Sequence, residues 1–132
     1  ARLDPGEPRV WATGTSSPCL SVFKRAPMEP SFFRLHAVAD RDYESARLWW
    51  ADAGLHRICL RNYAARSASF SEDRQHFQNE CLDPGMDPLR AWTTHHSLID
   101  QWRDRALAVP NRWLAPTTSL YWRRQCRRSG MR

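Results

Sequence analysis

The sequence predicts an all-α fold, a small domain of about four helices, and three observations support this class. The window between Pro88 and Pro110 holds about twenty residues without glycine or proline, and its apolar residues recur at helical spacing. Helix start and stop signals recur at several other places. No alternating apolar–polar run is longer than about five residues. Since 132 residues suit one domain, we expect these helices to share a single core.

The N-terminal segment is expected to differ from the rest. Few of its apolar residues are periodic, so it lacks a core of its own. We therefore predict an extended, proline-rich arm over residues 1–39 that lies on another surface, followed by a helical domain over residues 40–132. Disorder of the isolated arm is the alternative. Five of the nine prolines fall in residues 1–31: Pro5, Pro8, Pro18, Pro27 and Pro30.

The first helix is predicted from about Arg41 to Ala53. Asp40 can cap its N-terminus, and Gly54 suits the left-handed position that follows many helices. The next segment, residues 55–63, is interpreted either as a further helical turn or as an extended crossing.

The second helix is predicted from a capping box, residues 69–72, in which Ser69 and Glu72 are the paired side chains. Its end is predicted at the Asp83-Pro84-Gly85 turn. One side of this helix carries the residues expected in the core: Phe70, Phe77 and Cys81.

The longest helix is predicted between Asp87 and Val109. Aspartate before proline combines an N-cap with a first helical residue, and a residue before Pro110 is pushed out of helical conformation. We expect this to be the core helix, with an apolar stripe of Leu89, Trp92, His96, Ile99 and Ala106, widened by Leu98, Trp102 and Leu107.

A last helix, SLYWRRQCRR, is predicted after Thr117 or Thr118 as its cap and ends near Gly130. The net charge of +6 belongs to the tail that contains this helix, since seven arginines and no acidic residue follow Asp104. Arginines beside Tyr121 and Trp122 suit either nucleic acid or an acidic protein surface. A membrane-surface anchor is less favoured, because the segment is short. No apolar run approaches the roughly 18 residues of a spanning helix.

Catalytic and metal-binding patterns are weak. The four cysteines match no zinc or redox motif. His56-x-x-Cys59 and the His95-His96 pair are the only metal candidates, and each lacks a second half-site. Cys59 with His56 is also the only candidate nucleophile pair. We expect no enzyme activity, no cofactor and no metal, with the histidines on the surface or facing a partner.

Residues 48–122 resemble a family pattern whose first half is an aromatic run, an Ala-Gly turn and a basic-hydrophobic segment. Leu48-Trp49-Trp50, Ala53-Gly54-Leu55, Arg57-Ile58 and Leu60-Arg61 occupy these positions. The second half is a leucine–proline step, an arginine-rich helix with aromatic residues, an aliphatic–proline stop before tryptophan, and a tyrosine-containing helix. The matching segments are Cys81–Pro84, Leu89–Trp92, Val109–Trp113 and Leu120-Tyr121.

This order is similar to that of subunit 7 of ubiquinol–cytochrome c reductase, respiratory complex III, often called its ubiquinone-binding protein. The departures are an extra residue between Leu82 and Pro84, a proline-to-tryptophan spacing one residue short, and the absence of the family's acidic linker and second proline. No residue here can be assigned to quinone binding, and residues 1–40 lie outside the resemblance.

The resemblance implies a helical subunit without redox centre, on the matrix side of the inner mitochondrial membrane against cytochrome b and the core subunits. A mitochondrial ribosomal or RNA-binding protein is the alternative, because of the arginine-rich C-terminal helix. We expect these residues to bind the partner: Trp49, Trp50, Arg57, Arg61, Arg90, Trp92, Trp113, Tyr121, Trp122, Arg123 and Arg124.

Overall fold

A computed structural model describes residues 10–13, 15, 19–27, 29, 31–32, 46–112 and 116–129. The described chain is mostly helical, which confirms the all-α prediction. It contains one two-stranded sheet and five helices. These are β1 (Trp11–Ala12), β2 (Lys24–Arg25), α1 (Leu48–Cys59), α2 (Tyr63–Ala68), α3 (Ser71–Leu82), α4 (Pro88–Ala108) and α5 (Pro116–Ser129).

Helix α4 begins and ends where the sequence predicts. The Asp87 side chain accepts a hydrogen bond from the Arg90 backbone N–H at 2.7 Å, and Pro88 takes the first helical position. Val109 is extended before Pro110, so the helix stops there. The stripe prediction was wrong at three positions. Leu89 and Leu107 are exposed, and His95 rather than His96 is buried, because the covered face is centred on Ala91, Trp92, His95, Ile99, Trp102 and Ala106.

Helix α1 corrects the prediction of a stop at Gly54. The helix begins at Leu48, runs through Gly54 and ends at Cys59, whereas Asp40 and Arg41 lie outside the described residues. Leu55 and Cys59 are completely buried in the second half of the helix. Their burial contributes more than the roughly 1 kcal/mol that a helical glycine costs, so the apolar stripe decides the helix length.

The predicted capping box does not form. Ser69 is already the C-cap of α2, and its hydroxyl donates to the Arg66 carbonyl. The Ser71 hydroxyl donates to the Ala68 carbonyl, so both serines serve the preceding helix and not α3. The end of α3 at Leu82, with Asp83 extended, agrees with the predicted stop, and Phe70, Phe77 and Cys81 are buried as expected.

Helix α5 begins at Pro116, directly before Thr117 and Thr118. These two residues, predicted as alternative caps, therefore lie in the first turn of the helix. Proline suits this position because its missing N–H is not needed there. The helix ends at Ser129, in agreement with a stop near Gly130.

The described part of the arm forms part of the core. Trp11 pairs with Arg25 and Ala12 with Lys24 in an antiparallel ladder. Four buried side chains lie two residues apart: Leu20, Val22, Lys24 and Ala26. This two-residue period is that of an extended chain, and Ser21 is the one intervening residue that is buried as well. The predicted boundary between residues 39 and 40 lies outside the described residues and stays a prediction.

A buried arginine joins the ends of three helices. The Arg66 guanidinium in α2 donates to the Ile58 carbonyl near the end of α1 at 2.7 Å. It also donates twice, at 3.1 and 2.7 Å, to the Val109 carbonyl just after α4. A cation is favourable beside helix C-termini, which carry partial negative charge. Arg66 therefore connects the end of α4 to the end of α1.

Candidate functional site

Helix α5 presents a basic face to solvent. Leu120 is 69% exposed and Tyr121 55% exposed, although large apolar side chains are more often covered. The basic face, as defined here, consists of these two residues and the four exposed arginines of the helix: Leu120, Tyr121, Arg123, Arg124, Arg127 and Arg128.

The helical period aligns the arginines of this face. Arg123 and Arg127 are four positions apart, as are Arg124 and Arg128, so the four guanidinium groups form two adjacent rows. The helix contains no acidic residue, and its C-terminal dipole favours the two arginines in the last turn. Such a face can receive phosphate or carboxylate groups in bidentate contacts.

Of the tryptophans predicted to bind a partner, two are buried, one is half-buried and two have side chains outside the described residues. Trp92 lies in the core, where its indole N–H donates to the Arg25 carbonyl at 3.1 Å and its ring meets Phe32 edge-on. Trp50 is buried as well and packs edge-to-face on Trp49, which is half-buried. Trp113 and the Trp122 side chain lie outside the described residues.

The predicted arginines lie on several elements. Arg123 and Arg124 belong to the basic face of α5. Arg57 is half-buried in the last turn of α1, Arg61 is exposed in the α1–α2 connection, and Arg90 is exposed in the first turn of α4. Among the described residues, Tyr121, Arg123 and Arg124 are therefore the predicted binding residues that share one helix surface.

The candidate metal and nucleophile residues lie in unsuitable surroundings. Burial raises the pKa of the Cys59 thiol to about 11, although Arg66 opposes this shift, so the thiol stays protonated and is a poor nucleophile. His56 in the same helix meets the Tyr63 ring edge-on at 6.4 Å. In the part of the chain that the structure describes, no three His, Cys, Asp or Glu side chains are close enough to hold a metal ion.

His95 was expected on the surface or against a partner, and that interpretation was wrong, because His95 is completely buried. Its ring lies 5.7 Å from the rings of both Phe77 and Trp102. Its Nδ1 atom lies 2.7 Å from the Nζ atom of Lys24. Burial lowers the pKa of His95 well below 6.5, and the charges of Lys24 and His96 lower it further.

Lys24 is a candidate functional residue that the sequence did not indicate, because it is a buried lysine with a lowered pKa. It is the single lysine of the chain, and it is completely buried. Its Nζ atom donates to the Thr13 and Val22 carbonyls, at 3.0 Å each, and lies 4.5 Å from the centre of the Trp92 ring. Burial lowers its pKa from 10.5 to about 7. The alternation of Leu20, Val22, Lys24 and Ala26 was the sequence signal that could have placed it inside.

A groove of about 580 Å³ lies between α3 and α4. Its walls include Glu72, His76 and Glu80 from α3 and Leu98 from α4. Asp73, on the same side, already forms an ion pair with Arg105 at 2.7 Å. The groove is thus acidic, in contrast to the basic face of α5.

No protein family, curated protein or solved structure matches this chain. Among the helices that the structure describes, none has the length and apolar character required to span a membrane.

Proposed function

We propose that this chain is a non-catalytic subunit of a larger assembly and that it docks through the basic face of α5. The observation that carries the proposal is the exposure of Leu120 and Tyr121 directly beside two rows of arginines. Aromatic and arginine side chains are the residues that contribute most to protein interfaces when a partner desolvates them. A partner surface with carboxylates and an apolar pocket would complement this face.

The assembly that we propose is mitochondrial ubiquinol–cytochrome c reductase, with the chain on its matrix side against cytochrome b and the core subunits. The support is the family resemblance of residues 48–122. The segments that carry it lie on three helices and at the end of one of them: Trp49-Trp50 in α1, Arg90 in α4, the stop at Pro110, and Tyr121 in α5. The role that follows is support of the assembled complex, with electron transfer left to the other subunits.

The second candidate is a mitochondrial ribosomal or RNA-binding protein that uses the same face. Four exposed arginines on a helix whose own sequence has no acidic residue favour it, since guanidinium groups neutralise phosphates and Tyr121 can stack on a base. Binding of this kind weakens steeply as the salt concentration rises, with a slope that reflects the number of phosphates engaged.

The deciding experiment is purification of the tagged chain from its own cells in mild detergent. The first proposal predicts co-purification with cytochrome b and the core subunits, and loss of assembled complex when the chain is depleted. Recovery with ribosomal RNA, reduced by moderate salt, would replace it with the second candidate. Recovery of the chain alone from the soluble fraction would overturn both.

A matched pair of variants tests the docking surface itself. Arg123→Ala with Arg124→Ala removes two exposed arginines from the basic face, whereas Arg103→Ala with Arg112→Ala removes two exposed arginines from other elements. We expect the first double variant to lose about 10-fold or more in co-purified partner and the second to retain it. Equal retention by both would contradict docking through α5.

A further inference from the structure

The contact between Lys24 and His95 joins the arm to the core helices. Lys24 belongs to β2 and His95 to the covered face of α4, and the two nitrogen atoms are 2.7 Å apart. Both side chains are completely buried, so water does not replace this contact. The docked segment, defined here as residues 20–26, carries Lys24 on its inner face.

We propose that the Lys24–His95 contact is a pH-sensitive switch that keeps the docked segment on α3 and α4 at neutral pH and releases it on acidification. This switch is independent of the basic face and of the partner proposed for it.

The hydrogen bonds of Lys24 require a neutral His95. Below about pH 7, where Lys24 carries its proton, its ammonium group has three N–H donors, and three acceptors surround Nζ: the Thr13 carbonyl, the Val22 carbonyl and His95 Nδ1. For Nδ1 to accept, the imidazole must carry its single proton on Nε2. That atom is buried and has no hydrogen-bond partner among the described residues. A neutral imidazole therefore completes the coordination of the lysine.

A second proton on His95 removes this arrangement. Nδ1 would then become a donor, and two cations would face each other at hydrogen-bonding distance in a dry site. The charged and titratable groups around the pair come from three helices. Asp52 of α1 and Cys81 of α3 act on Lys24, while His96 of α4 acts on His95. The Cys81 thiol is neutral in this range because burial raises its pKa to about 11.

The direction of the pH effect follows from the lowered pKa values. Burial lowers the pKa of both Lys24 and His95, so the docked state binds fewer protons than the released state. Docking is therefore favoured as the pH rises. It weakens as the pH falls from 10.5 to about 7 because of Lys24, and the contribution of His95 is lost as the pH falls from 6.5 through the lowered pKa of the buried imidazole.

The other contacts of the docked segment are few and specific. The Gln78 side chain receives a hydrogen bond from the Phe23 N–H at 2.8 Å and donates to the Phe23 carbonyl at 3.1 Å. Arg25 reaches the Pro84 and Met86 carbonyls at 3.4 and 3.3 Å. None of these groups changes charge between neutral and mildly acidic pH. The titrating groups of the contact are therefore Lys24, which gains its proton near pH 7, and His95, which gains a second proton at lower pH.

The test is hydrogen–deuterium exchange of the full chain between about pH 7.5 and pH 5, corrected for the intrinsic pH dependence of amide exchange. We expect residues 20–26 to lose about 10-fold or more of their protection at the acidic end, while residues 99–106 of α4 keep theirs. Exchange of the imidazole C2 hydrogen of His95 reports its protonation in the same samples. Constant protection of residues 20–26, or a loss of protection while His95 stays neutral, would overturn the proposal.

Two variants test whether His95 causes the response to acid. In His95→Asn an amide oxygen can accept from Lys24 near the former Nδ1 position and does not titrate, so we expect the docked segment to remain protected at both pH values. His96→Asn is the matched control on the same helix and should keep the wild-type response. An unchanged acid response in His95→Asn would contradict the switch, and the two wild-type measurements decide the question if that variant does not fold.

Discussion

Two regions of the chain contrast in how they hold cationic side chains. Lys24 is buried, and the protein itself supplies three acceptors and an aromatic ring to its ammonium group. The arginines of α5 are exposed, on a helix that has no acidic residue. The buried cation has its hydrogen-bond acceptors within the chain, whereas the exposed cations face solvent.

The physical difference lies in solvation. A cation in a dry interior loses its hydration and is stable only where fixed dipoles replace the water. Its removal therefore affects folding. An exposed cation keeps its water until a partner arrives, so its removal affects binding far more than folding. The following predictions test this division, from the largest expected effect on stability to the smallest.

Replacement of Lys24 by alanine should cause the largest loss of stability. It leaves the Thr13 and Val22 carbonyls without their donor and opens a cavity beside Trp92, so we expect the free energy of unfolding to fall by about 3–4 kcal/mol. Arg124→Ala is the exposed counterpart and should change it by less than about 0.5 kcal/mol. Urea denaturation at neutral pH measures both. Equal effects of the two variants would remove the distinction between the regions.

Replacement of the buried Arg66 by alanine should cost somewhat less, about 2–3 kcal/mol, because three hydrogen bonds to the Ile58 and Val109 carbonyls are lost. Arg66→Lys keeps the charge but cannot donate to both carbonyls in the same fork geometry, so we expect an intermediate loss. Thermal and urea unfolding of the two variants provide the comparison. A lysine variant as stable as the wild type would show that charge alone suffices.

The stability of the wild type should pass through a maximum near pH 9. The lowered pKa of Lys24, about 7 against 10.5, makes stability fall as the pH decreases from 10.5 to 7. The raised pKa of Cys59 and Cys81, about 11 against 9.0, makes stability fall as the pH increases above 9. Each group contributes a slope of at most about 1.4 kcal/mol per pH unit.

Chemical unfolding at a series of pH values measures this profile. Lys24→Met should flatten the rise between about pH 7 and pH 9 and leave the alkaline fall in place. A wild-type stability that decreases steadily from pH 7 to pH 9 would be incompatible with a buried lysine of lowered pKa.

The smallest effect is expected for the ion pair between Arg105 and Asp73, whose side chains are 47% and 37% exposed. Arg105→Ala should lower the free energy of unfolding by less than about 1 kcal/mol, and by less still in high salt, because exposed pairs are screened by solvent and ions. Denaturation in low and high salt provides the measurement. A loss comparable to that of Arg66→Ala would show that exposure does not set the contribution of a cation here.

The accuracy of the sequence predictions depended on the range of the interaction concerned. Asp87-Pro88 and Val109-Pro110 delimited α4 correctly, because both signals act through the conformation of adjacent residues. The prediction of a capping box at residues 69–72 was wrong, because Ser69 is the C-cap of the short helix α2. No periodic pattern in the sequence indicated that helix. The predicted helix stop at Gly54 was wrong for a related reason. The burial of Leu55 and Cys59 favours continuation of the helix through this glycine.

The candidate site was only partly predictable. Tyr121, Arg123 and Arg124 lie together on an exposed helix face, and their composition and spacing were sufficient to select them. Trp92 and Trp50 were selected for their residue type, but they are buried within this chain. The type of a residue does not indicate which side of its helix is covered by other elements. The adjacent residues His95 and His96 differ in burial because they point to different sides of α4.

By itself, the sequence determined the all-α class, both ends of α4, the stop of α3 and the basic composition of α5. These features depend on backbone sterics, on helical period and on charges close in sequence. The tertiary structure decided that a strand of the arm would insert its lysine beside His95, and that α1 would continue past its glycine. Those outcomes depend on which surfaces cover one another, because the free energy of burial is set by residues far apart in the chain.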